Sequence, residues 1–148
     1  MRKFMTSRFG EIEAEEDKII HFAEGLPAFE EERDFLIIPY EEGSPYMFLQ
    51  SLQTPDLAFL MTVPLIFFPD YEFTIEDDVE QELALTSPEE VLIYTILTLS
   101  GQDIRDLTAN LMAPVVINAK TRQAKQVVLD KGPYTTKHRL FPADTEDK

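Results

Sequence analysis

The sequence predicts a mainly β protein with a single domain, folded as a β-sandwich or a partly closed β-barrel with one or two short helical turns. Two observations support this prediction. The chain has 148 residues, a length that suits one domain with one buried core. Its apolar residues come in short runs rich in β-branched and aromatic side chains, separated by turn-forming residues. We therefore expect residues 1–141 to form the domain and residues 142–148 to form a flexible polar tail.

The predicted strands are distributed along the whole chain. Residues 2–22 have the pattern of two or three strands, with turns at Gly10 and Asp17, and a Gly-Leu-Pro bend follows at 25–27. Six more runs have the length and composition of strands: FLIIPY (35–40), YMFLQSL (46–52), LAFLMTV (57–63), VLIYTILTL (91–99), PVVIN (114–118) and KQVVL (125–129). Turn-forming sequences separate the first three of these runs.

Helical patterns are limited to two short segments. Apolar residues repeat every four positions from residue 75 to residue 83, with acidic residues in the first turn, which predicts one short helix within 76–84. The sequence SPEE matches a capping box, with Ser87 as the N-cap and Glu90 at N3. It predicts a single turn that leads into the strand at 91–99.

The segment LTANLMAPVVIN contains a predicted bend. Pro114 cannot donate to a strand ladder, so it should begin a strand or mark a bulge. Asn110 has side-chain donors and acceptors that can hold the bend before Pro114. The alternative role for Asn110 is direct contact with a partner.

The charge of the chain is large and unevenly distributed. Thirteen Lys and Arg against 28 Asp and Glu give a formal net charge of −15. From Asp34 to Asp103 there are fourteen Asp and Glu and no Lys or Arg, whereas from Arg105 to Arg139 there are seven Lys and Arg and two Asp. This charge disfavours direct binding to nucleic acid or to an anionic membrane, and it favours positively charged partners.

Sequence motifs of enzymes are absent. The five glycines form neither a dinucleotide fingerprint nor a phosphate loop, and there is no G-x-S-x-G motif. His21 alternates with apolar residues, which predicts a hydrogen-bonded residue at the edge of the core, and His138 lies among cations, which suits a surface contact. Acid pairs are so numerous that no pair stands out as catalytic, and no EF-hand loop is present. We expect no catalytic residue, no cofactor and no metal.

The composition also bears on the compartment. The chain has no cysteine, which excludes disulfides and Cys-ligated zinc and fits a reducing compartment. The N-terminal residues lack the apolar region of a secretory signal, and no apolar run approaches the roughly 18 residues of a membrane span. We expect a soluble, cytoplasmic protein.

The stretch FFPDYEFTIEDD (67–78) has the composition of a contact surface. It combines four aromatic rings with five carboxylates and contains no cation. Interfaces favour aromatic anchors within a charged rim, so Tyr71, flanked by Asp70 and Glu72, is predicted to be such an anchor. The alternative for the phenylalanines is a place in the core. The predicted partner-binding residues are Phe68, Asp70, Tyr71, Glu72, Glu76, Asp77, Asp78, Glu80 and Asn110.

Six segments, in order from about Phe9 to Leu140, carry a likeness to one known family. They are FGEI (9–12), IIHFAEGLPAFEEERDF (19–35), SPYMFLQSLQTPDLAF (44–59), FFPDYEF (67–73), LTANLMAPVVINAKTRQAKQVVL (107–129) and YTTKHRL (134–140). Together these segments resemble the FliW family of flagellar assembly factors.

The resemblance implies a cytoplasmic, non-enzymatic binding protein with a compact β fold that is a monomer when free. Proteins of this family bind CsrA, a dimeric RNA-binding regulator that represses translation of the flagellin message, and they relieve that repression. They also bind flagellin, so that unexported flagellin occupies the antagonist and leaves CsrA free to repress. The resemblance suggests non-competitive antagonism.

The charge pattern is compatible with this role. Phosphate neutralisation requires a cationic RNA-binding face, and carboxylates within about 8–10 Å of it raise the free energy of bringing phosphates near. Glu76, Asp77, Asp78 and Glu80 are predicted to act in this way, while aromatic residues attach. Two other functions stay open. One is an acidic nucleic-acid mimic that directly occludes another nucleic-acid-binding protein, and the other is a carbohydrate-acting enzyme that uses an acid pair.

Overall fold

The fold is mainly β, as predicted. The computed structural model describes residues 2–26, 29–99, 104–129 and 132–141. The strands within these residues are β1 (Arg2–Thr6), β2 (Gly10–Ala14), β3 (Ile20–Phe22), β4 (Asp34–Pro39), β5 (Tyr46–Ser51), β6 (Ala58–Thr62), β7 (Val91–Leu99), β8 (Leu107–Ala109), β9 (Val115–Asn118), β10 (Gln123–Gln126) and β11 (His138–Arg139). The predicted tail, 142–148, lies outside the described residues.

Seven strands close into a barrel. Their order is β7-β6-β5-β4-β3-β10-β9, and β9 pairs with β7 to complete the ring. Neighbouring strands are antiparallel except β3 and β10, which are parallel. The barrel is therefore fully closed rather than partly closed, and the sandwich alternative does not apply.

The long strand β7 links the barrel to an outer extension. Its first part, Val91–Tyr94, pairs with β9, and its last part, Leu97–Leu99, pairs with β8. Strand β11 then pairs with β8. β1 and β2 form a separate hairpin.

The main core consists of buried side chains from the barrel strands and from the segment after β3. Its buried members are Ile20, Phe22, Leu26, Phe35, Leu49, Met61, Val115, Ile117 and Ala124. Phe22 and Phe35 meet edge to face, with ring centroids 5.3 Å apart. Burial of this apolar surface provides the main stabilisation of the fold.

The predicted strands agree with the structure except at the last run. The N-terminal segment forms three strands, and five of the six later runs coincide with strands to within one or two residues. The sixth, predicted at 125–129, lies at Gln123–Gln126. Beyond it, the N–H groups of Val127 and Leu129 still donate to the carbonyl oxygens of Pro114 and Met112. A regular ladder does not continue there, because Pro114 has no N–H to return the bond.

Two short α-helices lie between β6 and β7. α2 (Asp77–Glu82) confirms the helix predicted within 76–84, and α1 (Pro64–Phe67) was not predicted. Three-residue 3₁₀ turns occur at Glu16–Lys18, Pro88–Glu90 and Ile104–Asp106.

The turn at 87–90 forms as predicted, but the capping box does not. Ser87 is the N-cap and makes no side-chain capping hydrogen bond. The carboxylate of Glu90 reaches past Ser87 and accepts a hydrogen bond from the backbone N–H of Thr86, at 3.0 Å. It also accepts from the Thr86 hydroxyl, at 3.0 Å. In a capping box, the Glu90 carboxylate would accept a hydrogen bond from the backbone N–H of Ser87. Here it accepts from the N–H of Thr86 instead.

Candidate partner-binding site

Tyr71 is buried, which corrects the prediction that its ring is a surface anchor. Only 7% of the residue is exposed. Its hydroxyl donates to the carbonyl oxygen of Leu111 at 2.8 Å, and its ring lies edge-on to Tyr134, with centroids 4.6 Å apart. Burial and the neighbouring Tyr134 raise the pKa of Tyr71. The ring thus anchors its own segment to the protein.

The phenylalanines of the same stretch belong to a second core outside the barrel. Its buried members include Leu97, Leu107 and Leu111, together with Tyr71. Phe67, Phe68 and Phe73 are half-buried and pack against this cluster. The ring of Phe68 meets His138 edge-on, with centroids 6.0 Å apart. Most of the aromatic surface predicted to bind a partner is therefore used for internal packing.

The backbone of Glu72 is fixed, while its carboxylate is exposed. The Tyr134 hydroxyl accepts a hydrogen bond from the N–H of Glu72 and donates to its carbonyl oxygen, both at 3.0 Å. The neighbouring residue Asp70 is also exposed. The backbone of Glu72 is thus bonded to Tyr134, while the side chains of Asp70 and Glu72 remain in solvent.

Helix α2 holds a row of carboxylates on the outside of the barrel. Val79 and Leu83 are buried against Val116 of β9. The side-chain amide of Asn118 donates to the carbonyl oxygens of Leu83, at 2.7 Å, and Ala84, at 3.2 Å. Because the apolar side faces the barrel, the carboxylates remain outside. We name the exposed acidic residues of this region the acidic face: Glu72, Glu76, Asp77, Asp78 and Glu80.

Among the described residues, the carboxylates of the acidic face have no cationic partner, whereas nearby carboxylates form ion pairs. No ion pair within the described residues involves a carboxylate of the acidic face. In contrast, Lys125 pairs with Glu24 and Glu82, at 3.0 and 3.4 Å, and Lys120 pairs with Glu90 at 3.2 Å. Lysines of the basic C-terminal part therefore pair with Glu82 and Glu90 of the acidic middle, and not with the carboxylates of the acidic face.

Among the carboxylates in these ion pairs, Glu90 has the pKa that is lowered most. Only 7% of the residue is exposed. The hydrogen bond from the Thr86 backbone, followed by those from the Lys120 ammonium and the Thr86 hydroxyl, lowers the pKa of Glu90 to about 2. These contacts give Glu90 a structural role in the turn before β7.

Two cavities adjoin the acidic face and share one wall. The α1 groove, about 690 Å³, is lined by Pro64 and Leu65, Tyr71–Ile75, Glu80, Leu85–Pro88, Val91 and Ile93. The β10 groove, about 670 Å³, includes Glu76, Asp78 and Lys125 in its lining. Glu72, Phe73 and Thr74 line both. The exposed ridge between the grooves is thus the segment that follows Tyr71.

The sequence analysis did not identify the exposed apolar residues of α1 beside the α1 groove. Leu65 and Ile66 of α1 are each 55% exposed, although both are large and apolar. Large exposed apolar side chains beside a groove are typical of binding surfaces. The available signal was the apolar run VPLIFF with Pro64 in the first turn, a position that proline favours in helices.

Asn110 lies apart from the two grooves and holds the predicted bend. Its Oδ1 accepts a hydrogen bond from the N–H of Ala113 at 3.0 Å, and Pro114 directly precedes β9. The structural role expected of Asn110 and the strand start expected at Pro114 are both confirmed. Asn110 also lines a separate cavity of about 410 Å³ with Phe29. Contact between Asn110 and a partner stays a prediction.

His21 is hydrogen-bonded as predicted, whereas His138 contacts Phe68, Tyr134 and Thr135 within the protein, and its surface contact stays a prediction. Nδ1 of His21 lies 2.8 Å from Oδ1 of Asp34 at the edge of the barrel. Nε2 of His138 accepts a hydrogen bond from the N–H of Thr135 at 2.8 Å. In the described part of the chain, no three His, Asp or Glu residues form a group suited to a metal ion. No helix among those residues is long and apolar enough to cross a membrane.

Comparison with known proteins gives the same family along nearly the whole chain. The model of the family described as FliW protein matches residues 3–140. The flagellar assembly factor FliW of Geobacillus kaustophilus is 44% identical over 140 residues, which cover 95% of this chain and 96% of that protein. The flagellar assembly factor FliW of Moorella thermoacetica is 38% identical over 143 residues, which cover 97% of this chain and 90% of that protein.

A solved structure supports the same relation at the level of the fold. The crystal structure of a flagellar assembly factor FliW superposes on this chain with a TM-score of 0.90. The two chains are 40% identical, and the match covers 97% of this chain and all of that one.

Proposed function

The chain belongs to the FliW family of flagellar assembly factors, and on this basis we propose that it antagonises the translational repressor CsrA. In this proposal it is a non-enzymatic, cytoplasmic protein, monomeric when free, that binds CsrA and releases the flagellin message. Flagellin is its second partner. When flagellin accumulates, it occupies the antagonist, and CsrA represses the message again.

The acidic face is the observation that supports this function best. Five exposed carboxylates lie within nine residues, and none has a cationic partner among the described residues. The buried residues Tyr71 and Val79 attach the segments that carry these carboxylates to the rest of the fold. Fixed, unpaired charge of this kind steers a cationic partner and repels phosphate.

The proposed mechanism separates attachment from repulsion. An RNA-binding face attracts phosphates with Lys and Arg. Carboxylates held within about 8–10 Å of that face make bound RNA less stable at physiological salt. The antagonist therefore acts without covering the RNA site, provided that it attaches beside it with the acidic face directed toward the RNA.

A competition experiment tests this function. Labelled flagellin leader RNA is bound to CsrA and the protein is titrated in, with CsrA affinity measured separately by calorimetry. We expect RNA to be released and the release to persist at saturating RNA, because the sites differ. Adding flagellin should restore the CsrA–RNA complex. If the protein does not bind CsrA, the proposed function is wrong.

The same experiment distinguishes non-competitive antagonism from direct occlusion by a nucleic-acid mimic. A mimic occupies the RNA site itself, so excess RNA would displace it from CsrA. Release that disappears as RNA concentration rises would therefore favour direct occlusion. Release that reaches a plateau independent of RNA concentration favours the non-competitive mechanism.

A further inference from the structure

We infer that the α1 groove is the attachment site of the protein, and that it takes a segment of CsrA in which an apolar side chain is flanked by lysine or arginine. This inference rests on the proposed function and adds the surface and the chemistry of attachment. It replaces Tyr71, which is buried, as the anchor.

The lining of the groove is suited to an apolar side chain. Phe73, Ile75, Val91 and Ile93 contribute to it, and its volume is about 690 Å³. Pockets of about 300–1,000 Å³ with mostly apolar walls are typical of binding sites. Leu65 extends the apolar surface to the rim, where it is 55% exposed. An apolar group entering the groove would bury surface that water now contacts.

The charge around the groove favours a cationic occupant. Glu72 and Glu80 line it, and both lack a cationic partner among the described residues. The chain has no Lys or Arg between Asp34 and Asp103, the range that includes the whole lining. A segment that brings lysine or arginine therefore gains favourable contacts at the rim, whereas an acidic segment is repelled.

The neighbouring β10 groove is the poorer candidate for the same occupant. Lys125 is part of its lining and already pairs with Glu24 and Glu82. A second cation entering there would compete with that ammonium group. Both grooves hold unneutralised carboxylates and one large apolar side chain that is 55% exposed, Leu65 in the α1 groove and Val128 in the β10 groove. The α1 groove differs because its lining contains no lysine or arginine, and this difference selects it.

The test compares single variants with matched controls. Leu65→Ala removes the exposed apolar side chain at the rim, and Leu99→Ala removes one of similar exposure, 51%, at the end of β7. Glu80→Gln removes a rim charge, and Glu41→Gln removes an exposed charge in the β4–β5 turn. Affinity for the CsrA dimer is measured by calorimetry at two salt concentrations, folding by thermal melting, and mass by analytical ultracentrifugation.

We expect Leu65→Ala to weaken CsrA binding about tenfold at unchanged melting temperature, and Leu99→Ala to leave it unchanged. Glu80→Gln should weaken binding and reduce its salt dependence relative to Glu41→Gln.

If wild type binds CsrA and both groove variants bind it as tightly as wild type does, the inference is wrong while the proposed function stands. If wild type does not bind CsrA, both fail. If wild type is a dimer that Leu65→Ala converts to a monomer, the occupant is a second copy and the inference is overturned.

Discussion

Tyr71 shows how a residue between two acids comes to be buried. Its ring packs in the second core, and its hydroxyl bonds to the carbonyl oxygen of Leu111, forty residues later in the chain. We expect Tyr71→Phe to lower the free energy of unfolding by about 1–2 kcal/mol, because the buried carbonyl loses its donor. Urea unfolding measures this change. A Tyr71→Phe variant with wild-type stability would show that this hydrogen bond does not stabilise the fold.

Gly25 occupies a position that no other residue fits. Its φ is +69°, and a Cβ placed there would lie 2.4 Å from the carbonyl oxygen of Glu30. Gly10 has the same φ, with nothing within 4 Å of the added Cβ. Gly10→Ala should therefore cost about 1 kcal/mol from backbone strain alone. Gly25→Ala should cost about 1–3 kcal/mol more, because the backbone of Glu30 must also move. Equal losses in urea unfolding would show that the contact with Glu30 is unimportant.

Asn110 can be tested with a substitution that keeps its acceptor. Asn110→Ala leaves the buried N–H of Ala113 without its partner and should destabilise the fold by about 1–2 kcal/mol. Asn110→Asp retains an oxygen at that position and should lose less. Thermal melting checks both. If Asn110→Ala instead lowers CsrA affinity at unchanged melting temperature, Asn110 is a contact residue.

At the scale of elements, the turn before β7 should make stability depend on pH. The pKa of Glu90 is about 2 in the folded protein, below the ordinary value of 4.5. The group therefore binds a proton more readily in the unfolded chain, so its contribution is fully present above pH 4.5 and is lost as pH falls toward 2. Urea unfolding from pH 6 to pH 2 should show a smaller decrease for Glu90→Gln than for wild type. Parallel curves for the two proteins would mean that Glu90 does not stabilise the turn.

Elements with a strong local pattern were predictable, and those that depend on distant partners were not. β7 and α2 follow from β-branched composition and from a four-residue apolar repeat. α1 is only four residues long, so it has no repeat to detect. The capping box failed because Thr86 offers Glu90 a backbone N–H and a hydroxyl at the same time. The acidic sequence neighbours of Tyr71 predict a surface position, whereas its burial depends on contacts with Leu111 and Tyr134, which are distant in the sequence.

At the scale of the whole molecule, closure of the barrel redistributes charge that is segregated along the sequence. The parallel pairing of β10 with β3 and the return of β9 to β7 bring the basic C-terminal part beside the acidic middle. Local sequence patterns do not specify such non-local pairings. Lys120 and Lys125 then neutralise Glu90 and Glu82, and the acidic face is left unpaired within the described residues. The sequence predicted an excess of acid, and the fold determines where that excess is exposed.

The central claim is that carboxylates outside the attachment groove act on RNA rather than on attachment. The test variant neutralises Glu76, Asp77 and Asp78 by amide substitution, and the control neutralises the exposed Glu13, Glu41 and Glu42. Each variant loses three of the fifteen net negative charges, which leaves −12, so total charge is matched. The measurement is paired: CsrA affinity by calorimetry and release of labelled leader RNA by gel shift, with thermal melting to confirm folding.

We expect the test variant to bind CsrA with an affinity close to that of wild type and to release RNA poorly, while the control does both as well as wild type. That result would show that placement of charge, rather than its total, displaces the message. If the test variant binds CsrA and releases RNA as fully as wild type does, electrostatic repulsion by the acidic face is not the mechanism.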